Sequence, residues 1–153
     1  MHRNPESRTD GRDRAAWQAY RRLHERVDAE VARDLERKCG LSMPDYDVLA
    51  ALIELETPDT CIRVRGLSAR LNWAHSRLSR QLGRMEQRGL IAREPCERDG
   101  RGDDVALTAS GRKTIEAATP IYHSSVRDRF TGLLTPQQLT ALIEIERVIA
   151  HKP

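Results

Sequence analysis

The sequence contains few aromatic residues, few lysines and no long apolar run. Aromatic residues make up 4% of the 153 positions, and arginine outnumbers lysine 23 to 3. The longest stretch without a charged residue is interrupted by Thr, Pro and Gln, so no membrane span is expected. Residues 1–14 mix basic and acidic side chains without an apolar stretch of signal type. We therefore expect a flexible tail on a cytoplasmic protein.

Recognisable metal and catalytic motifs are also missing. Cys39, Cys61 and Cys96 lie more than 20 residues apart, which favours free thiols over disulfides or zinc binding. The five histidines show none of the close pairings of a ligand set, so no metal and no other cofactor is expected. The absence of a Gly-rich phosphate loop, a nucleophile elbow and a paired-carboxylate site argues against an enzyme.

The positive charge is concentrated in one quarter of the chain. Residues 63–101 contain ten arginines and four acidic residues, whereas the whole chain has a net charge of +3. Residues 43–61 hold five acidic residues and no basic one. Genome composition could explain arginine over lysine, but it does not explain a local excess of one sign. Guanidinium groups suit phosphates and guanine edges, so this segment is predicted to bind a polyanion.

Apolar periodicity predicts a mainly helical chain. Helices are expected over residues 15–38, 44–56, 67–71, 74–88, 109–132 and 136–150. Ser42 and Thr135 are placed as N-caps and Gly40 as a C-cap. Strand-like residues at 90–93 and 105–107 enclose a polar loop that contains two glycines, which predicts a β-hairpin.

The helix at 74–88 has an unusual distribution of side chains. Its apolar seam is narrow and consists of Ala74, Leu78, Leu82 and Met85. The other sides carry polar residues, namely Ser76, Arg77, Ser79, Arg80, Gln81, Arg84, Gln87 and Arg88. A shallowly inserted helix of this kind, after a short helix and a turn at residues 72 and 73, is typical of a helix-turn-helix.

Three segments resemble the MarR family of transcriptional regulators. Residues 41–49 (LSMPDYDVL) look like the second helix of that family, and residues 76–91 (SRLSRQLGRMEQRGLI) resemble its recognition helix running into the wing. Asp99-Gly100-Arg101 and residues 107–111 (LTASG) are similar to its wing tip and the start of its next helix. The segments occur in the family's order, and the likeness extends from Ala15 to the end of the chain.

The resemblance implies a mainly α fold with a small β-hairpin wing, in which a winged helix-turn-helix is flanked by N- and C-terminal dimerisation helices. Residues 15–153 would form a single domain, with 41–111 as the DNA-binding lobe and 15–40 and 112–153 as the dimerisation helices. The apolar helix at 136–150 demands burial by itself, either in a homodimer or within its own subunit. A two-fold dimer would place its recognition helices about 34 Å apart on a pseudo-palindromic operator.

Candidate DNA contacts come from the basic helix, the short helix before it and the wing. Arg77 is expected to read a guanine through a bidentate contact, because it lies in the N-terminal part of the helix. Trp73 either packs in the turn or contacts a base, and His75 either donates to DNA or caps the helix. The candidate set is Arg65, Ser68, Trp73, His75, Ser76, Arg77, Arg80, Arg84, Asp99 and Arg101.

The remaining candidates have open alternatives. Arg101 lies between two glycines and could enter a minor groove, with Asp99 bracing it as the resemblance implies, or it could belong to a charged turn. Asp103 and Asp104 would repel phosphate if they faced the same way. Arg65 and Ser68 contact either phosphate or solvent. Arg84 and Arg88 contact phosphate or pair with an acidic neighbour such as Glu86 or Glu97.

The resemblance also implies a small aromatic acid or phenol as effector, bound in a crevice between the dimer helices and the DNA-binding lobe. Candidate lining residues are Trp17, Tyr20, His24 and Tyr46, for which core packing is the alternative. The predicted function is a dimeric, sequence-specific DNA-binding regulator, most simply a ligand-responsive repressor. The alternative is a winged-helix module that binds protein, which would need apolar anchors where this chain has arginines.

Overall fold

The computed structural model describes residues 11–58, 61–94 and 103–151. The helices and strands are α1 Gly11–Cys39, α2 Met43–Leu55, β1 Ile62–Arg63, α3 Val64–Leu71, α4 His75–Gln87, β2 Ile91–Arg93, β3 Asp104–Leu107, α5 Ala109–Arg129 and α6 Pro136–Ala150. A 3₁₀ turn at Thr131–Leu133 follows α5. The predicted mainly α fold with a small wing is confirmed. Within these ranges, no helix has the length and apolarity needed to cross a membrane.

All six predicted helices are present, but α1 and α3 begin earlier than predicted. α1 starts at Gly11 and not at Ala15, so residues 11–14 are helical and do not belong to the tail. Asp13 lies in this first turn, where a carboxylate interacts favourably with the helix dipole. α3 starts at Val64, three residues before the predicted start, because β1 leads directly into it and Val64 is buried.

The predicted helix caps are confirmed by their hydrogen bonds. At α2, the amide of Asp45 donates to the Ser42 hydroxyl over 3.2 Å, and the amide of Ser42 donates to a carboxylate oxygen of Asp45 over 3.1 Å. Thr135 and Gln138 form the same reciprocal pair at α6. Gly40 ends α1 with a φ of 64°, a conformation that glycine adopts at little steric cost.

The wing contains one strand that the sequence does not reveal. β2 and β3 form the predicted hairpin, with Ala92 opposite Ala106. β1 pairs with the other edge of β3, which gives an antiparallel sheet of order β1-β3-β2 in which Ile62 lies opposite Val105. Because two residues are too few to show an alternating pattern, β1 is recognisable only by its pairing.

The chain divides into two compact units. Residues 32–124 contain the wing, α2, α3, α4 and the adjoining parts of α1 and α5. The core of this unit consists of fully buried side chains, including Leu35, Leu41, Leu49, Leu52, Leu67, Leu78, Leu82 and Met85. Residues 1–31 and 125–153 form the second unit, which contains α6, a helix without any buried residue.

Two glycines of the first of these units differ in the space around them. A Cβ on Gly111, in the first turn of α5, would overlap the carbonyl oxygen of Leu90, whereas a Cβ on Gly83 in α4 would meet nothing within 4 Å. We expect Gly111→Ala to lower the free energy of unfolding by about 1–3 kcal/mol, because the backbone must move. Gly83→Ala should raise it by about 0.5–1 kcal/mol.

Urea denaturation of both variants measures this difference. Equal free energies of unfolding for the two variants would show that α5 does not approach Leu90 so closely.

Candidate nucleic-acid interface

α4 is anchored on one side and open at its N-terminal end. Leu78, Leu82 and Met85 are fully buried and hold the helix in the core. The exposed residues of its first two turns are His75, Ser76, Arg77 and Arg80. The structure therefore brings four of the candidate DNA contacts together on one surface.

The turn before α4 is held by hydrogen bonds between Ser68 and Trp73. Asn72 adopts the left-handed conformation with a φ of 53°. The Ser68 hydroxyl donates to the carbonyl of Trp73 over 2.7 Å, and the amide of Trp73 donates to the carbonyl of Ser68 over 3.2 Å. A hydroxyl has one proton to donate, so Ser68 serves the turn and has none left for a phosphate.

Trp73 contacts Arg77, the residue expected to read guanine. The central carbon of the Arg77 guanidinium lies 3.9 Å from the centre of the Trp73 ring. This is a cation–π contact, in which the positive guanidinium is attracted to the negative face of the indole. The indole is half-buried and the arginine is exposed, so Trp73 packs against its neighbour rather than standing free in solvent.

His75 does not cap α4. The N-cap is Ala74, whose side chain cannot accept a hydrogen bond from the first amides of the helix. His75 is the first helical residue and is exposed. Of its two predicted roles, only donation to DNA remains open. Uncapped amides at a helix N-terminus are suited to receive a phosphate oxygen.

A buried polar network holds the C-terminal half of α4. Asp45 is 3% exposed, and its carboxylate accepts hydrogen bonds from Gln81 Nε2 over 2.7 Å and from Arg88 Nη1 over 2.6 Å. Arg88 Nη2 also donates to the carbonyl of Gly40 over 3.3 Å, and Arg84 Nη2 donates to Gln81 Oε1 over 2.5 Å. α4 is thus bonded to the N-terminus of α2 and to the end of α1.

The network corrects two predictions. The prediction that Gln81 points outward is wrong. Gln81 is buried, because it lies at position i+3 of a helical stripe in which Leu78, Leu82 and Met85 are i, i+4 and i+7. Arg88 pairs with Asp45 and not with Glu86, and Glu97 lies outside the described residues. The spacing i, i+3, i+4, i+7 in the sequence could have indicated the burial of Gln81.

Arg93 joins the wing to α4. Its Nη2 donates to the carbonyl of Ser79 over 3.1 Å, and its Nη1 lies 3.4 Å from a carboxylate oxygen of Asp103. Asp104 is 6% exposed. Of the two acidic residues that could have repelled phosphate, Asp104 is therefore buried and the charge of Asp103 is partly neutralised by Arg93. Asp99 and Arg101, the candidates at the wing tip, lie outside the described residues.

Arg65 lines an apolar groove between the end of α2, β1 and α3. The groove has a volume of about 510 Å³ and is lined by Leu55, Cys61, Ile62, Arg63, Arg65, Gly66 and Ala69. Arg65 is exposed there, as a phosphate contact requires.

The cysteines differ from the expectation of free thiols. Cys61 is disulfide-bonded, so that expectation is wrong for this residue, because separation in sequence does not tell which sulfurs meet in space. Cys39 is free, and its thiol donates to the carbonyl of Leu35 over 3.1 Å. Burial raises the pKa of the Cys39 thiol, which makes it a poor nucleophile. Cys96 lies outside the described residues, among which no cluster of side chains could hold a metal ion.

The candidate effector residues fall into two places. Tyr46 stacks on Tyr122 with 4.2 Å between ring centres, and it lines two clefts of about 400 and 310 Å³ that share lining residues. Burial raises the pKa of the Tyr46 hydroxyl. Trp17, Tyr20 and His24 follow one another along α1 in the other unit, with ring centres 5.7 and 6.2 Å apart.

The helix order, the antiparallel wing and the exposed basic face of α4 define a winged helix-turn-helix protein. The MarR family model matches residues 40–102. The transcriptional regulator HosA of Escherichia coli O157:H7 is 30% identical over 129 residues, which cover 84% of this chain and 92% of HosA. This chain belongs to the MarR family.

Two structures from Streptomyces coelicolor show the same fold. AbsC, a MarR family transcriptional regulator, is 33% identical with a TM-score of 0.84, over 94% of this chain and 95% of that one. Sco3205, a MarR family transcriptional regulator in complex with DNA, is 30% identical with a TM-score of 0.85, over 96% of this chain and 91% of that one. The predicted class, a transcriptional regulator of this family, is confirmed.

Loss of the buried carboxylate should destabilise the fold. Asp45→Ala leaves Gln81 buried without its acceptor and removes the pairing of Arg88. We expect the free energy of unfolding to fall by about 2–4 kcal/mol, as measured by urea denaturation. Glu86→Ala, which removes an exposed carboxylate from α4, serves as the control and should change it by less than about 0.5 kcal/mol. A similar small change for both variants would contradict the role of the network.

Proposed function

We propose that this chain acts as a homodimeric, sequence-specific DNA-binding regulator, most simply a cytoplasmic repressor. α4 enters the major groove of a pseudo-palindromic operator, and the wing lies at the adjacent minor groove. The observation that carries this proposal is the N-terminal end of α4, where exposed basic and hydroxyl side chains surround a helix whose apolar side is fully buried.

The chemistry of this end of α4 suits DNA better than protein. Arg77 and Arg80 lie one turn apart and are exposed, and the first acidic residue of the helix, Glu86, comes only in its last turn. Arginine binds guanine O6 and N7 through two parallel hydrogen bonds. A surface that docks protein is expected to present aromatic or aliphatic anchors at its centre. Here those positions carry Arg, Ser and His.

Further candidate DNA contacts lie on α3, on the second half of α4 and at the wing tip. Arg65 on α3 is exposed and would contact phosphate, as residues of the first helix of a helix-turn-helix do. Arg84 has one nitrogen bonded to Gln81 and is exposed, so a phosphate contact remains open to it. The roles of Asp99 and Arg101 at the wing tip stay predictions from the sequence.

Selection of bound duplexes from a random pool tests this function. We expect the full chain to select a pseudo-palindromic site, with an affinity that falls steeply with salt because several phosphates are neutralised. Arg77→Ala should weaken binding to that site by about tenfold or more and relax the preference for one guanine in each half-site. Arg70→Ala, which removes an arginine paired with Glu54, is the control and should retain the guanine preference. A pool without a shared sequence would contradict the proposal.

The dimer is argued from α6. This helix has no buried residue, although Leu142, Ile143, Ile145, Val148 and Ile149 are exposed on it. Burying one such side chain stabilises by about 1.5–3 kcal/mol, and monomeric proteins rarely expose a contiguous apolar patch of this kind. The exposure of these side chains favours a second copy over packing of the helix within its own subunit. A second copy of the chain supplies the cover and joins two DNA-binding lobes.

Charges placed on this face should separate the subunits. The double variant Ile145→Glu/Val148→Glu is expected to be monomeric at concentrations where the parent is dimeric, as measured by size exclusion with light scattering. It should also bind the selected operator more weakly, because each half-site is then occupied independently. Thr140→Glu adds a charge on the polar side of the same helix and should remain dimeric. A dimeric double variant would show that α6 is not the interface.

The effector is part of the same proposal. One of the two clefts at Tyr46 is lined by both stacked tyrosines and by Arg70, and the other is lined by Tyr46 and Arg112. Both arginines are paired with carboxylates, Arg112 with Glu56 over 2.6 Å and Arg70 with Glu54. An aromatic acid or phenol has the shape and polarity for such a cleft. Trp17, Tyr20 and His24 stay candidates from the sequence.

A further inference from the structure

The guanidinium of Arg77 lies over the indole ring of Trp73. A helix-turn-helix can bind DNA without such a contact. We infer that Trp73 is a positioning residue, which holds the guanidinium of Arg77 in one orientation for reading guanine and thereby sets part of the sequence preference. This inference rests on the proposed function, in which Arg77 contacts a base.

The indole is fixed before DNA arrives. Both backbone polar groups of Trp73 are bonded to Ser68, over 2.7 Å and 3.2 Å. Asn72, just before it, is held in a left-handed conformation that closes the turn. The ring is half-buried and so has protein on one side. Arg77, four residues further on, lies over this ring at 3.9 Å.

The contact leaves the reading atoms of Arg77 available. A cation–π contact uses the flat face of the guanidinium, whereas all five N–H donors point outward in its plane. A guanine needs two of these in-plane donors. Within the part of the chain that the structure describes, Arg77 forms no ion pair that would compete for them, in contrast to Arg70 and Arg88.

Stacking also lowers the entropic cost of recognition. A free arginine loses rotamer entropy when it is fixed, and a guanidinium that is already oriented loses less. A base other than guanine cannot accept both hydrogen bonds from the pre-oriented guanidinium. The saving in entropy therefore increases the discrimination between bases as well as the affinity. Arg80, which has no ring beside it among the described contacts, provides an internal comparison on the same helix.

A double-mutant cycle on the selected operator tests this inference. The variants are Trp73→Ala, Trp73→Phe, Arg77→Ala and the double variant Trp73→Ala/Arg77→Ala, each confirmed as folded by circular dichroism. Each is titrated against the operator and against the same duplex with 7-deazaguanine at the guanine read by Arg77, a base that lacks the N7 acceptor. We expect Trp73→Ala to weaken operator binding about 3- to 30-fold and to reduce the penalty for 7-deazaguanine.

Three results support the inference together. The salt dependence of Trp73→Ala should match that of the parent, because no phosphate contact is lost. Trp73→Phe should recover most of the discrimination, since phenylalanine also presents an aromatic face. In the Arg77→Ala background, the Trp73→Ala change should have no further effect on either duplex.

Other results overturn it. If Trp73→Ala weakens binding equally with and without Arg77, the indole acts by itself, through packing or a direct base contact. If Arg77→Ala leaves the 7-deazaguanine penalty unchanged, the assignment of Arg77 under the proposed function fails first. The part of the fluorescence emission that Trp73→Phe removes comes from Trp73. If Arg77→Ala leaves this part of the emission unchanged, the stack is absent in solution.

Discussion

The orientation of the recognition helix depends on a buried carboxylate. Moving a carboxylate out of water costs several kcal/mol, and the cost is offset only when hydrogen bonds satisfy its oxygens. Asp45 receives them from Ser42, Gln81 and Arg88, which belong to the start of α2 and to α4. The apolar contacts of Leu78, Leu82 and Met85 bury one side of α4 but have no direction. The carboxylate adds directional bonds that a rotated helix could not form, so it adds to the restraint on which side of α4 faces outward.

Some of the described arginines between residues 63 and 94 bond to other elements of the lobe, and others are exposed on α4. Arg88 and Arg93 bond to other elements of the same lobe, whereas Arg77 and Arg80 are exposed at the N-terminal end of α4. A count of basic residues in the sequence cannot separate these groups, because each contributes the same charge to the local excess. The excess therefore overstates the number of arginines that are exposed and unpaired among the described residues.

The elements of the fold were largely predictable, whereas the contacts between them were not. Capping at Ser42 and Thr135 depends on neighbours three residues away, so the sequence contains both partners. The bonds of Asp45 to Gln81 and Arg88 join residues 36 and 43 positions apart, and no local pattern points to them. Trp73 and Arg77 are only four residues apart, but Trp73 lies in the turn before the N-cap Ala74, so helical spacing does not indicate their contact.

The network also connects α4 to the end of the first helix. α1 runs from Gly11 to Cys39, and the carbonyl of Gly40, just after it, accepts a hydrogen bond from Arg88 at the end of α4. A ligand shifts a protein between two conformations only if it binds them with different affinity. Because Arg88 is bonded to both Gly40 and Asp45, a displacement of the end of α1 that broke one bond would change the restraint on α4 while the other held. This geometry links the end of α1 physically to α4 without requiring the core of residues 32–124 to repack.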